Sequence, residues 1–225
     1  MKNRHASRKQ GWKWALVSFL IIFLVAFGYA VLRYNVMKGV PADQIPLYVS
    51  NKAFALASVV LIGISFIMGP LARFNQRKFA HGLYLRKYFG VLGFGVAAMH
   101  GVISLLLFSP SYYPRFFTEA GKLTFSGELS MLFGVLSIFI FSAVAVTSLP
   151  SVEKGVHPRQ WLFVQRLGYI AFALVLLHVT AMGWKGWLDA SGWPAGMLPI
   201  SLIAALAIIL VLAARLLVMA FPRKR

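Results

Sequence analysis

The charged and turn-forming residues divide this chain into six apolar runs, each close to the length that crosses a bilayer. The runs lie at roughly 12–32, 51–70, 88–109, 127–149, 161–184 and 196–221. A transmembrane helix needs about 20 apolar residues, and a helix satisfies its backbone hydrogen bonds within its own segment, as lipid requires. With 60% hydrophobic and 12% charged residues, the sequence predicts an all-α polytopic bundle of six transmembrane helices, forming one membrane domain over 1–225.

The distribution of basic residues predicts which side of the membrane each loop occupies. When the 23 Lys and Arg residues are assigned to alternate sides, all but six fall on the side that carries both chain ends. Cytoplasmic loops are enriched in Lys and Arg, so we expect both termini in the cytoplasm. Because the basic residues are divided among short loops, the net charge of +18 does not require a nucleic-acid partner. We expect membrane lipid to surround the protein. The six on the other side are Arg33, Lys38, Lys52, Arg115, Lys122 and Lys185.

The first 30 residues allow a second interpretation. They combine a basic start, an apolar core and small residues at Gly28 and Ala30, which is the pattern of a cleaved signal peptide. The apolar run reaches Leu32 and is long for such a peptide, so a retained first helix is the favoured interpretation. Cleavage would leave five spans in the same orientation.

Two of the five histidines, His100 and His178, lie inside apolar runs. An ionisable side chain in hydrocarbon is costly and marks a candidate functional site. His100 follows Lys87 by 13 residues and His178 follows Arg166 by 12. On helices running the same way, these offsets place both imidazoles about 18–20 Å from the basic face, at 1.5 Å rise per residue. The residues alone leave three interpretations open: an axial pair for a haem, a hydrogen-bonded structural pair, or a metal or proton-relay site.

Other features limit the chemistry that this pair can support. The chain has no cysteine, which excludes disulfides, thiolate iron–sulfur sites and covalent c-type haem. His5 and His157 lie in polar segments, and we expect both to be solvated. His81 lies on the connector between the second and third apolar runs. Small residues such as Gly93 and Ala171 share helical faces with the two apolar-run histidines. They predict either close helix packing or a slot for a flat macrocycle.

The segments around the two histidines resemble the ferric-reductase-like transmembrane domain family. Residues 86–90 (Arg-Lys-Tyr-Phe-Gly) lead to His100, and residues 165–169 (Gln-Arg-Leu-Gly-Tyr) lead to His178, with Trp161 ahead of them. The similarity covers roughly residues 55–185. It extends to the haem-binding subunit of the bacterial periplasmic methionine-sulfoxide reductase, and it implies a multi-pass protein of the bacterial inner membrane. It also implies that His100 and His178 are the two axial ligands of a haem b iron in the outer half of the bilayer.

The chain departs from the fuller members of that family at two positions. Those members carry a second histidine 13–14 residues earlier on each of the two helices, and here the positions hold Arg86 and Gln165. Arginine is always protonated and glutamine is a poor haem ligand. We therefore expect one haem rather than two.

The expected function is that of a b-type cytochrome, an electron-transfer subunit of an oxidoreductase. No glycine-rich dinucleotide motif is present and only four residues follow Phe221, so we expect quinol or a flavin reductase as donor, with FMN or quinone as a possible further cofactor. Arg77 or Lys78 could contact a flavin phosphate, and His81 could help such a site. The expected acceptor lies at the outer face, where a periplasmic redox protein is the implied partner. The alternative is a haem-free assembly or transporter subunit that retains the family's helix packing.

Overall fold

A computed structural model describes the backbone of residues 2–221 and the side chains from Lys9 to Phe221. Helices account for nearly all regular structure there, and the sole β-type pairing in residues 2–221 is an isolated bridge between Phe117 and Leu123. Six helical stretches are long and apolar enough to cross a membrane, which confirms the all-α polytopic prediction. His5 lies outside the described side chains, so its expected solvation stays a prediction. The helices are α1 (Lys2–Val31), α2 (Ser50–Phe74), α3 (Gln76–Phe79), α4 (Arg86–Leu106), α5 (Phe125–Thr147), α6 (Pro150–Glu153), α7 (Pro158–Leu188) and α8 (Ile200–Ala220).

Local sequence signals set several helix ends within a few residues of the apolar runs. α5 begins where the Thr124 hydroxyl accepts a hydrogen bond from the Gly127 amide at 3.1 Å, as an N-cap residue does. It ends at Thr147, two residues before the predicted boundary at 149. Leu149 precedes Pro150 and is extended at its N-cap position, because the residue before proline disfavours the helical conformation.

The helices pack as two close pairs joined by a fifth helix. α2 packs along α4, α5 packs along α7, and α8 lies against both α2 and α7. At the first of these interfaces, a Cβ on Gly93 would come within 2.8 Å of the Ile62 side chain. Gly93 therefore serves close helix packing, and the same is true of Ala171, which is fully buried in the core. Of the two roles predicted for these small residues, the structure assigns packing.

The bundle has two ends, which we name the terminal face and the opposite face. The terminal face is the end at which α1, α4 and α7 begin, and the opposite face is the end at which those helices finish. At the terminal face the Trp12 and Tyr88 rings are in edge contact, 5.4 Å between centroids. At the opposite face Tyr29 donates a hydrogen bond to the Leu198 carbonyl. α4 and α7 thus run in the same direction, as the shared depth of the two histidines requires.

Candidate functional site

His100 lies in α4 and is held by a residue of the neighbouring helix. Its Nδ1 is 2.8 Å from the amide oxygen of Asn51, which is in the first turn of α2 and fully buried. The Asn51 nitrogen donates to the Ser104 hydroxyl at 2.8 Å and to the Tyr113 hydroxyl at 3.3 Å. Both the oxygen and the nitrogen of the Asn51 amide are therefore used near His100.

His178 lies in α7 and is held by the backbone of α5. Its Nδ1 is 2.8 Å from the Ser130 carbonyl oxygen and 3.0 Å from the Ser130 hydroxyl. A carbonyl oxygen can only accept, so this geometry requires the proton on Nδ1. One turn later, a Cβ on Gly134 would lie 3.0 Å from the same Nδ1. The absence of a side chain at Gly134 therefore allows α5 to approach the imidazole.

The two imidazoles have the same hydrogen-bonding pattern. Each uses Nδ1 for a hydrogen bond to an oxygen of an adjacent helix, and in the described part of the chain neither Nε2 has a hydrogen-bond partner. Both side chains are only partly buried. A neutral imidazole with its proton on Nδ1 presents a free electron pair at Nε2, which is the usual arrangement of a metal-bound histidine.

The two histidine helices do not form a closely packed pair. α4 packs on α2 and α7 packs on α5, while α4 and α7 are not among the closely packed pairs. Among the side chains described from Lys9 to Phe221, no group of three or more His, Asp or Glu residues is arranged to hold a metal ion. A haem needs only axial ligands from the protein, because its macrocycle supplies the other four. The donor set therefore fits a haem better than an ion bound by the protein alone.

Arg86 and Gln165, the two departures from the family pattern, both make hydrogen bonds between helices. The Arg86 Nε donates to the Ser65 carbonyl at 3.0 Å, and the Ser65 hydroxyl donates back to the Arg86 carbonyl at 2.7 Å. The Gln165 amide nitrogen lies 3.0–3.3 Å from three oxygens of α5 and its C-cap residue. These side chains tie α4 to α2 and α7 to α5 at the level where fuller family members place histidines.

A cavity of about 560 Å³ opens at the terminal face beside Arg86 and Gln165. Aromatic rings of Tyr84, Trp161 and Tyr169 contribute to its wall. Its one acidic side chain, Glu153, forms an ion pair with Lys87, so the lining has an excess of positive charge. The basic residues in the lining are Arg73, Arg86, Lys87, Arg166 and Arg215.

The structure changes the expected contributors to this terminal-face site. Arg77, Lys78 and His81, which the sequence offered as flavin contacts, do not line the cavity. His81 is exposed on the connector before α4. His157 is exposed at the start of α7, in agreement with the prediction that it is solvated. His157 also accepts a hydrogen bond from the Arg159 amide at 3.3 Å, so it acts as the N-cap of α7.

At the opposite face, basic and aromatic side chains gather above His100. The Lys52 ammonium lies 4.5 Å from the Tyr48 ring centroid and 4.9 Å from that of Tyr113, which is a cation–π geometry. Burial, reinforced by the neighbouring cations Arg33 and Arg115, lowers the pKa of Lys38. Among the described side chains, the only ion pair is at the terminal face. We call this group the basic–aromatic cluster: Arg33, Lys38, Lys52, Arg115, Tyr34, Tyr48 and Tyr113.

Sequence reasoning missed three residues of the site. Asn51 and Ser130 lie at the ends of apolar runs and have no signal of spacing to the histidines. Tyr113 lies in the loop after α4, and its hydroxyl accepts a hydrogen bond from Asn51. Burial raises the pKa of the Tyr113 phenol, so the hydroxyl stays neutral. Asn51 lies between Ser50 and Lys52, so its polarity did not distinguish it from its neighbours.

Comparison with known proteins identifies the family to which this arrangement belongs. The family described as ferric reductase like transmembrane component matches residues 54–176, more than half of the 225 residues. The chain belongs to this family. The match includes His100, Arg86 and Gln165 and ends two residues before His178.

Individual relatives are mammalian metalloreductases. The chain is 29% identical over 168 residues to metalloreductase STEAP2 of Mus musculus, which covers 63% of this chain and 34% of the relative. It is 26% identical over 204 residues to metalloreductase STEAP3 of Rattus norvegicus, covering 77% of this chain and 42% of the relative. The chain thus spans well under half the length of either protein.

The family and these relatives support a transmembrane electron-transfer role for a multi-pass membrane protein of the oxidoreductase class. The resemblance to the haem subunit of the methionine-sulfoxide reductase system stays a prediction.

Proposed function

We propose that this chain is a membrane b-type cytochrome that transfers electrons through one haem b, with His100 and His178 as the two axial ligands of its iron. The observation that carries the proposal is the matched state of the two imidazoles: each has Nδ1 bonded to an oxygen and Nε2 free. A structural histidine pair would be expected to use both nitrogens in hydrogen bonds. α4 and α7 each pack against a different helix rather than closely against each other, which supports a ligand held between them.

The protein's contribution is to hold and tune the haem, while the haem supplies one-electron chemistry. Two imidazoles would occupy both axial positions, so the geometry favours electron transfer over binding of O₂ at the metal. The hydrogen bonds at Nδ1 fix the orientation of each ring and raise the basicity of each ligand.

One haem per chain follows from the terminal-face residues. Arg86 and Gln165 occupy the positions of the second ligand pair and are engaged in hydrogen bonds between helices. An electron that enters from the terminal face therefore needs another carrier. The aromatic and basic lining of the 560 Å³ cavity suits a planar anionic cofactor such as FMN, while a quinol that donates directly is the other candidate.

The basic–aromatic cluster is the proposed place of electron delivery. Its cations lack carboxylate partners among the described residues. Lys52 contacts the Tyr113 ring, whose hydroxyl accepts a hydrogen bond from Asn51, the partner of His100. A small anionic complex of an oxidised metal would be attracted to this surface, in keeping with the metalloreductase relatives. A redox protein on the outer side of a bacterial inner membrane, with both termini of this chain in the cytoplasm, is the second candidate acceptor.

The test of this function is the optical spectrum and haem content of the purified protein. After reduction with dithionite, we expect the sharp α and Soret bands of a low-spin haem b and about one haem per chain in a pyridine haemochrome assay, because bis-imidazole ligation gives a strong field. A value near two would contradict the assignment of Arg86 and Gln165. A value near zero would instead favour the haem-free subunit.

The ligand assignment has its own set of variants. We expect His100→Ala and His178→Ala each to lose stable haem binding, because one imidazole leaves an open coordination position. His81→Ala and His157→Ala are matched controls, since both residues are exposed at the terminal face. A normal low-spin spectrum from His100→Ala would exclude the proposed pair.

A further inference from the structure

The two imidazoles differ in the kind of group that orients them. His178 is bonded to a backbone carbonyl, that of Ser130, which no side-chain substitution removes. His100 is bonded to a side-chain amide, that of Asn51, which comes from a different helix. The Ser104 hydroxyl lies farther from the same Nδ1, at 3.5 Å, so the shortest contact that orients His100 comes from one replaceable side chain.

The Asn51 amide can be placed in two ways, and only one allows His100 to bind a metal through Nε2. With the oxygen toward His100, as in the structure, Nδ1 carries the proton and Nε2 has a free electron pair. With the amide reversed, its NH₂ group would donate to Nδ1, and the proton of a neutral ring would move to Nε2. A protonated Nε2 cannot ligate iron.

Two hydroxyl groups hold the amide in its observed orientation. The Asn51 nitrogen donates to Ser104, which lies one turn after His100 on α4, and to Tyr113, which lies in the loop after α4. Both amide protons are thereby used, in a side chain that is fully buried. If the Asn51 amide were reversed in this buried site, both hydroxyl groups would have to change their hydrogen bonds at the same time.

We propose that Asn51 is a positioning residue that keeps His100 in the tautomer able to bind metal, with Ser104 and Tyr113 holding the Asn51 amide. The proposal rests on the proposed function, in which His100 is an axial haem ligand. Asn51 itself touches neither substrate nor metal, and it acts only through the imidazole. The same network extends to the basic–aromatic cluster, because the Tyr113 ring also contacts the Lys52 ammonium.

Two substitutions at Asn51 separate this role from simple packing. Asn51→Leu removes the acceptor while keeping a similar volume, and we expect haem affinity to fall about 10- to 100-fold, as for other lost ligand-orienting partners. Asn51→Asp keeps an acceptor and strengthens it. We expect this variant to bind haem and to have a lower midpoint potential than wild type, because a more basic imidazole stabilises the ferric state. We expect Asn51→Leu to have a higher midpoint potential.

Ser142→Ala is the control for the loss of a hydroxyl group. The Ser142 hydroxyl donates to the Ile138 carbonyl within α5 and is not bonded to either imidazole, so we expect a wild-type spectrum and potential. Tyr113→Phe removes one of the two groups that hold the Asn51 amide. We expect it to shift the potential in the same direction as Asn51→Leu, by a smaller amount.

The tautomer can also be measured without haem. Nitrogen-15 NMR of the haem-free full chain, labelled at histidine, should show His100 protonated at Nδ1 in wild type and as a mixture of tautomers in Asn51→Leu. If wild type binds haem and both Asn51 variants keep its affinity, potential and tautomer, the positioning role is excluded and the cytochrome stands. If wild type binds no haem, the cytochrome fails. The NMR spectrum then decides the tautomer by itself, and an Nε2-protonated His100 in wild type would overturn the inference.

Discussion

Gly134 offers a sharp test of how closely the protein must fit around a haem ligand. A Cβ at this position would lie 3.0 Å from Nδ1 of His178 and 3.3 Å from its Cε1. The optimal separation of two non-bonded carbon atoms is about 3.5–4.0 Å. In Gly134→Ala, the imidazole therefore has to move by about half an ångström if α5 and α7 keep their positions.

The magnitude follows from the hydrogen bond that holds the ring. A half-ångström displacement away from α5 would lengthen the 2.8 Å bond to the Ser130 carbonyl to about 3.3 Å, beyond the usual range for N–H···O bonds. Overpacking of this kind costs about 1–3 kcal/mol. The haem-free protein can relieve the contact by rotating the ring, whereas the haem-bound protein cannot. The cost therefore falls on binding and corresponds to about a 5- to 150-fold loss of haem affinity.

The assay is the rate and extent of haem transfer from the purified protein to an apoprotein acceptor, followed by the Soret band. Gly95→Ala is the matched control, because Gly95 lies in α4 and has no atom within 4 Å of an added Cβ. We expect Gly95→Ala to retain haem as wild type does. Equal retention by Gly134→Ala and Gly95→Ala, with identical spectra, would show that His178 is not held as described.

Three further predictions concern the terminal-face hydrogen bonds, the basic–aromatic cluster and sidedness. Gln165→Leu removes the hydrogen bonds that the Gln165 amide nitrogen makes with α5, so we expect the free energy of unfolding to fall by about 1 kcal/mol. The melting temperature should be lower and the haem spectrum unaltered. An unchanged melting temperature would mean that water replaces the side chain. Lys52→Met should raise KM for an anionic ferric chelate and leave KM for a neutral acceptor unchanged, and equal effects on both would argue against electrostatic attraction. In intact cells, a reporter fused after Arg225 should be cytoplasmic. An impermeant oxidant should reoxidise the haem faster from outside than from inside. The reverse results would invert the proposed topology.

The sequence by itself determined the membrane architecture. Each apolar run has to form a helix, because lipid offers no partner for unpaired backbone groups, and the six runs match the six membrane-length helices. The ends of the helices were also readable where chemistry is local, as at Thr124, which caps α5. The cost of placing an imidazole in hydrocarbon singled out His100 and His178 in the same way, since a sequence shows that cost without any knowledge of packing.

Only the tertiary structure decided how those histidines are presented. The partners of their Nδ1 atoms come from other helices, 49 residues away for Asn51 and 48 for Ser130, and no periodicity within one helix encodes a contact between two. The same holds for Gly93, which helix packing explains, and for the terminal-face cavity, whose lining comes from at least four helices. Hydrogen-bond partners and cavities depend on how helices are rotated against one another, and the packing of all their side chains together sets that rotation.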